Sequence, residues 1–434
     1  MNKKKEIFPQ LRFGGYKSKW IIDSFDFEFL QTNSFSRAEM DDEKGNVKNI
    51  HYGDILTKYN DILRDISVVP FVNKNVDLSK FREESYLKNG DIVIADTAED
   101  FTAGKAVEVL NVDSPVLAGQ HTFLCRPKIK FAPGFMGYYL NSPSYHNRLI
   151  LLLTGTKVYS ISKANIKSTF VLYPENYEEQ QKIADCLSSI DELIDAESRK
   201  LKALEKYKKG LMQKLFPAEG KTLPEWRFPE FQGCGEWKLQ KLKLICDFQE
   251  GYAFSSNDFV ANDTDSNYIQ VVRITDINNK NSNTDKVFVN MDLIRRNDLY
   301  KYLISKNDLI LSLTGAAGFN FFIWSTNIAV LNQRTLKLIP KDEKNHAIKF
   351  LIEPLIHREI NMHGTGQNNN LSKEVLKNVE IVLPTSFKEQ QKIADCLSEI
   401  DTIITEQSNK VEQLKIHKKG LMQGLFPSLE EVDV

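Results

Sequence analysis

The longest uninterrupted aliphatic run in the 434 residues is Leu149 to Leu153, far short of the roughly 18–20 apolar residues that cross a bilayer as a helix. No membrane span is expected. The start, Met1-Asn-Lys-Lys-Lys-Glu-Ile-Phe-Pro, is basic with no apolar stretch behind it, so it does not read as a secretory signal, and a cytoplasmic location is expected. Cysteine is scarce. The five residues Cys125, Cys186, Cys234, Cys246 and Cys396 form no C-x-x-C pair and are odd in number, which argues against a zinc cluster and against a disulfide framework. Net charge is nearly absent as well: 57 Lys and Arg against 58 Asp and Glu leave −1. Any nucleic-acid surface must then be local rather than a property of the whole chain.

Catalytic signatures are missing too. No G-x-x-x-x-G-K-[ST] phosphate loop occurs; Gly220-Lys221-Thr222 lacks the upstream glycine and lies in a proline-containing stretch. No Asn/Asp-Pro-Pro-Tyr/Phe element is present to hold an exocyclic amine for methyl transfer. The seven histidines never fall in H-E-x-x-H or another metal spacing. Glu230, Glu236 and Lys238 superficially resemble the acid, acid, lysine set that holds Mg²⁺ in nucleases. They straddle a Gly-Cys-Gly loop, however, and Trp20, the counterpart of Trp237, has no carboxylate beside it. The chain reads as a non-enzyme with no metal site or cofactor of its own.

What is present is ordinary folded composition, 41% hydrophobic, 26% charged and 10% aromatic, in a length that implies two to four domains. It is organised by one internal repeat. Glu179 to Pro217 and Glu389 to Pro427 align without a gap at an offset of 210, and 25 of 39 positions are identical. Weaker echoes precede each copy: Trp20 with Trp237, Gly90-Asp91-Ile92-Val93 with Asn307-Asp308-Leu309-Ile310, and Gln120-His121-Thr122-Phe123 with Gln333-Arg334-Thr335-Leu336. Their offsets drift between 217 and 210, as expected for one fold with unequal loops. The expected plan is a domain over 1–178, an arm over 179–217, a connector over 218–235, a second domain over 236–388, an arm over 389–427 and a tail over 428–434.

Each arm should be a long helix with a heptad seam. In the first arm Ile183, Leu187, Ile190, Ile194, Leu201 and Leu204 fall at steps of three, four or seven, and in the second Ile393, Leu397, Ile400, Ile404, Val411 and Leu414 do the same. Polar interruptions come at matched places, Glu197 and Lys208 against Gln407 and Lys418. Asn176-x-x-Glu179 and Ser386-x-x-Glu389 supply capping boxes, and about 32 residues make a rod of roughly 48 Å. The simplest burial of two such stripes is an intramolecular antiparallel coiled coil, with approximate twofold symmetry between the domains. Packing of each arm on its own domain, or dimerisation with another molecule, stays open. The domains themselves read as mixed α/β, from strand-like runs such as Asp91-Ile-Val-Ile-Ala and Tyr268-Ile-Gln-Val-Val, and from helical patterns over 132–152 and 346–361. The expected class is α+β.

Polar, glycine-containing loops stand at equivalent places and are the candidates for DNA contact. Thr156, Lys157, Tyr159 and Lys163 lie in one; Gln367, Asn368, Asn369 and Lys373 lie in its counterpart. Thr314, Gly315, Gly318 and Asn320 form another, with Gly251 and Tyr252 a further candidate. Asn and Gln can pair with adenine edges and Lys with phosphates, whereas Gly-Thr and Asn runs also serve as plain turns.

A Gly-Thr loop, a proline, E-Q-x-x-I-A-x-x-L-x-x-I-D and a Lys-rich helix ending L-M-Q-x-L-F-P, all present twice, resemble the specificity subunit of type I restriction–modification systems. The resemblance covers nearly the whole chain and is strongest in the arms. It implies two target-recognition domains, each reading half of a bipartite site in double-stranded DNA. It also implies that the helices set the spacer and dock two modification (methyltransferase) subunits, which restriction/translocase subunits then join. S-adenosylmethionine, ATP and Mg²⁺ would belong to those partners. A different class, a non-catalytic coiled-coil scaffold with two adhesive domains for protein partners, is the competing expectation.

Overall fold

The computed structural model describes residues 7–428 apart from 42, 262–266, 279–285, 313–320, 325–326, 343–346, 350, 353–354 and 357–372. The chain divides into two units, one of Met1–Arg199 with Ser408–Val434 and the other of Lys200–Gln407. Each unit therefore owns one α+β domain, part of the first long helix and part of the second. No helix of the described residues is long and apolar enough to cross a membrane.

In the first unit, strands Phe27–Leu30, Thr122–Pro127, Asp91–Ala95, Ala106–Val109 and Ile62–Leu63 lie side by side in that order in a mixed sheet. A second sheet has the order Val116–Ala118, Lys48–Ile50, Phe71–Val72, Met40–Asp41, its first pair parallel. Trp20–Ser24 and Phe170–Pro174 close the domain as an antiparallel pair. Within the fully buried strand Asp91–Ala95, residues 92–95 are apolar on both faces, as a central strand between two packed layers requires.

The second unit repeats these parts. Cys246–Glu250, Thr335–Pro340, Leu309–Ser312 and Phe321–Ile323 form one sheet. Val260–Ala261, Val287–Asn290, Tyr268–Val272, Ala329–Leu331 and Leu303–Ile304 form the other. The parallel pairing recurs in register: Val116 faces Lys48 in the first unit, and Ala329 faces Gln270 in the second. Lys238–Lys241 and Glu380–Leu383 are the closing pair.

The helices Tyr177–Leu215 and Phe387–Leu425 have 39 residues each, or about 58 Å at 1.5 Å per residue. They are longer than expected because each begins two residues earlier and runs through Gly210 or Gly420. The apolar stripe is buried partly on each arm's own domain: Ile183 and Leu187 join the first-domain core with Met422 and Leu425 of the other helix, and Ile393 and Leu397 join the second-domain core with Leu215. Ile183, Leu187, Ile393, Leu397, Ile400 and Val411 are buried, and Ile190, Ile194, Leu201, Leu204, Ile404 and Leu414 are half-buried. Direction is read from the ion pairs. In the first unit Asp191 meets Lys418 and, further along, Glu197 meets Lys410; one number rises as the other falls, so the segments run antiparallel. In the second unit Lys208 meets Asp401. Lys208 and Lys418 are the matched polar interruptions of the seam, and each finds the matched aspartate of the other helix.

The opening residues of the repeat each have a structural task. Glu179 accepts a bidentate pair from Arg12, Nε to Oε1 at 2.7 Å and Nη2 to Oε2 at 2.8 Å. Glu389 accepts the same from Arg227 at 2.6 and 2.7 Å. Gln180 and Gln390 are buried and donate to the Pro174 and Pro384 carbonyls at 2.9 and 2.7 Å. Gln181 and Gln391 donate to Asp185 and Asp395 one turn on. The capping boxes are thus incomplete: Asn176 Oδ1 accepts from the Glu179 amide, the Glu389 amide donates instead to the Ser386 backbone carbonyl, and both glutamates turn away to the arginines. Arg227 also makes the segment 218–235 more than a connector. Its Phe231 is buried, and Phe228 packs on the second core.

The helical pattern over 132–152 is two helices, Phe135–Asn141 and Pro143–Ile150, because Pro143 forces Ser142 into an extended conformation. In the pattern over 346–361, residues 348–349, 351–352 and 355–356 are helical and Ala347 is a turn; the rest lies outside the described residues. Glu108, buried on its strand, accepts the amides of Gly134 and Gly137 at 2.7 and 2.8 Å at the start of the first of the two helices. Burial pushes its carboxyl up to about 7. A carboxyl raised on folding costs nothing below its ordinary value of 4.5 and costs stability as pH climbs from there to about 7. Between pH 5 and pH 8 the stability of Glu108→Gln relative to the parent should therefore rise by about 2 kcal/mol. Chemical denaturation at the two pH values measures it, and an equal difference at both would contradict a buried, titrating Glu108.

Candidate nucleic-acid interface

In the first domain two exposed loops lie side by side. The turn Gly119-Gln120-His121-Thr122 joins two strands there, and Thr122 Oγ1 closes it on the Gly119 carbonyl at 2.6 Å. His121 has a φ of 53°, a left-handed conformation that costs a residue with a Cβ roughly 1 kcal/mol. Its ring lies 3.3 Å from Asp96 and edge-on to Tyr52 at 5.3 Å. Beside it His51 Nδ1 accepts the Gly53 amide at 3.1 Å and caps the helix Tyr52–Thr57. Burial lowers the pKa of His51, in keeping with a ring nitrogen that must stay unprotonated to accept.

The Gly-Thr loop adjoins this turn. Asp96 takes part in both, its amide donating to His121 and its carbonyl accepting from Ile161. Thr154 and Ser160 close the loop by two amide hydrogen bonds at 3.0 and 2.8 Å. Gly155 at φ 123° is obligatory, since a Cβ there would stand 1.9 Å from the Val158 carbonyl oxygen. The loop pushes Thr156, Lys157 and Val158 into solvent. Tyr159 is half-buried and packs on exposed Phe101 with ring centres 4.7 Å apart. Lys163, at the start of the helix Lys163–Lys167, sits 5.7 Å over Phe29 and 5.6 Å over Phe123. The result is an aromatic floor with cations above it, suited to a polyanion.

In the second unit the turn Asn332-Gln333-Arg334-Thr335 has the same construction. Thr335 Oγ1 donates to the Asn332 carbonyl at 2.5 Å, and Arg334 has a φ of 64°. Gly251 lies against it so closely that a Cβ would meet the Asn332 oxygen at 2.0 Å. Tyr252 forms a backbone bridge to Asn332 and packs on Phe254 and Tyr302. Lys373 pairs with Glu250 at 3.1 Å. Three expected residues, Gly251, Tyr252 and Lys373, are therefore brought to one place. Thr314, Gly315, Gly318, Asn320, Gln367, Asn368 and Asn369 lie outside the described residues.

Three groups escaped the sequence reading. Arg12 and Arg227 sit in matched Pro-x-x-Arg-Phe strings, Pro9 to Phe13 and Pro224 to Phe228, a signal too short to notice beside the arms. The half-buried Lys418, known from the sequence only as a polar interruption of the seam, lies between Asp61 and Asp191, at 2.6 and 2.7 Å, with Tyr138 donating to Asp191 at 2.8 Å. Asp61 comes from a loop far away in sequence, and no spacing announces it. The left-handed His121 and Arg334 were visible only as an echo of neighbouring identities.

Among solved structures the fold is similar to the type I restriction–modification S subunit from M. genitalium. That match covers 97% of this chain and 99% of that one, with TM-score 0.56 and 16% identity. It is also similar to a chain from a study of complex assembly and conformational transition in the type I R-M system, over 94% of this chain and 98% of that one, with TM-score 0.52 and 17% identity. The fold class is thus that of two α+β domains with paired long helices. Residues 27–206 and 235–414 each match the type I restriction modification DNA specificity domain, so the chain belongs to that family and carries its domain twice. The type I restriction enzyme MjaVIII specificity subunit of Methanocaldococcus jannaschii is 28% identical over 289 residues, 63% of this chain and 64% of that protein. The chain thus aligns with just under two thirds of that relative. A MjaX specificity subunit of the same organism is 25% identical over 381 residues, 83% of each.

Gly155→Ala should break the loop around Lys157, at a cost of roughly 1–3 kcal/mol. Tryptic cleavage after Lys157 is expected to accelerate and the unfolding temperature to fall by a few degrees. Unchanged proteolysis and melting would refute the closed loop.

Proposed function

We propose that this chain is the DNA-reading subunit of a type I restriction–modification complex, with no catalytic centre of its own. Each unit reads one half of a bipartite, asymmetric site in double-stranded DNA. The long helices set the number of unread base pairs between the halves and dock two modification subunits. Those subunits supply S-adenosylmethionine, and restriction/translocase subunits with ATP and Mg²⁺ complete the assembly.

One observation carries the reading: each long helix holds apolar side chains out of its seam at two matched positions. Leu193 and Ile403 are each 41% exposed, and Tyr177 and Phe387 are 41% and 44% exposed, at positions 210 apart. Two equal apolar positions outside the seam suit two copies of one partner. The matched turns Gln120-His121 and Gln333-Arg334 differ at their exposed second residue, as readers of different sequences should. Partner docking accordingly shifts from the seam residues to this outer face, because Ile183, Leu187, Ile393 and Leu397 are almost wholly enclosed.

Methylation-sensitive sequencing of the host genome tests both parts. The parent strain should show a methylated bipartite motif that disappears when the gene is deleted. Leu193→Glu combined with Ile403→Glu should reduce methylation at both halves together, while the purified chain melts within about 1 kcal/mol of the parent. Identical methylation with and without the gene would overturn the function; full methylation by the double variant would overturn the docking face.

A further inference from the structure

The two matched turns are built alike and differ in what they hold out. In each, a buried threonine, Thr122 or Thr335, locks its hydroxyl to the carbonyl three residues back. In each, the amide of the first residue is fixed on the neighbouring strand, Gly119 to Ile50 at 2.8 Å and Asn332 to Val272 at 3.0 Å. The residue before the threonine is left-handed in both, yet neither is glycine. A turn that needs a left-handed residue is most easily made with glycine or asparagine. A histidine and an arginine kept there, on a rigid base, trade stability for a side chain held at a set angle.

The surroundings of the two side chains differ. His121 is braced by Asp96 and Tyr52. Arg334 is exposed, and its guanidinium has no hydrogen bond or ion pair among the described residues. Its neighbour Gln333 is exposed as well. A guanidinium offers paired donors that match guanine O6 and N7, and a glutamine amide matches the adenine edge. In the first unit the same turn stands beside the lysine-bearing loop Thr156-Lys157-Val158 through Asp96, so a base-reading group and a phosphate-binding group share one face.

We infer that these turns carry specificity-determining residues, with Arg334 reading a guanine in the second half-site and His121 reading the corresponding position of the first. The inference rests on the DNA-reading function proposed above and sharpens it to one residue per unit.

Replacing the left-handed residue by glycine separates this role from folding. Glycine favours that backbone, so Arg334→Gly should melt at or above the parent temperature. In the assembled complex with modification subunits, methylation of a library randomised across the parent motif is then read by sequencing. Arg334→Gly should lose on the order of 10- to 100-fold discrimination at one base pair of the second half-site and leave the first half-site unchanged. His121→Gly should relax one base pair of the first half-site alone. A uniform drop over all sequences would make Arg334 a phosphate contact and overturn the inference, as would an unchanged profile. If the parent complex methylates no bipartite motif, the proposed function itself fails, which the parent lane alone reveals.

Discussion

Everything in each unit is fastened at one place, the buried bidentate pair of an arginine with the glutamate in the first turn of a long helix. A carboxylate 1% exposed, as Glu179 and Glu389 are, is tolerable only when its charge is met and its lone pairs are filled. Both oxygens of each are met by a guanidinium. The arginines are themselves held, Arg12 by the Ser18 carbonyl and Arg227 by those of Cys234 and Gly235. Trp237 adds an indole donor to Glu389 at 3.2 Å. Next to each arginine the strap is tied to the end of the other helix, the Leu11 amide to Gly424 at 2.7 Å and the Trp226 amide to Lys214 at 3.0 Å. The strap therefore joins the start of one arm to the finish of the other within each unit.

From that fastening the seam follows. With helix starts and finishes paired, the segments in each unit run antiparallel, and the matched lysines fall opposite the matched aspartates. The units then diverge. In the first, Lys418 also reaches Asp61 of the recognition domain, inside a cage closed by Tyr138. Lys208, its counterpart, meets an aspartate that is about half exposed. Arms that share 25 of 39 residues thus make different polar contacts at a matched lysine, one reaching its domain and the other, among the described residues, only the facing helix.

The arms were legible because their side chains do one job twice, so the residues could not drift: glutamate to strap, glutamine to proline carbonyl, isoleucine and leucine to seam. Of the twelve residues that the heptad spacing picked, six are buried and six half-buried. The domains were legible only as strand-rich, since their pairing depends on contacts between distant segments, such as Val116 with Lys48, that carry no local signal. The straps hid because Pro-x-x-Arg-Phe is short and its offset differs from that of the arms. At the interface, the Gly-Thr loop was readable from turn chemistry, and Gly155 shows why. The left-handed His121 and Arg334 were not, because a strained backbone leaves no mark in residue identity when the usual glycine is absent.

The most direct test of this account is a double-mutant cycle at each fastening, Arg227→Met with Glu389→Gln and Arg12→Met with Glu179→Gln, read by chemical denaturation. Each single change leaves a buried partner unmet and should cost roughly 3–5 kcal/mol. The double change should cost clearly less than the two singles together, with a coupling of about 2 kcal/mol or more in both units. Additive effects at either site would mean that the arginine and glutamate act separately, and the fastening on which the antiparallel seam depends would not exist.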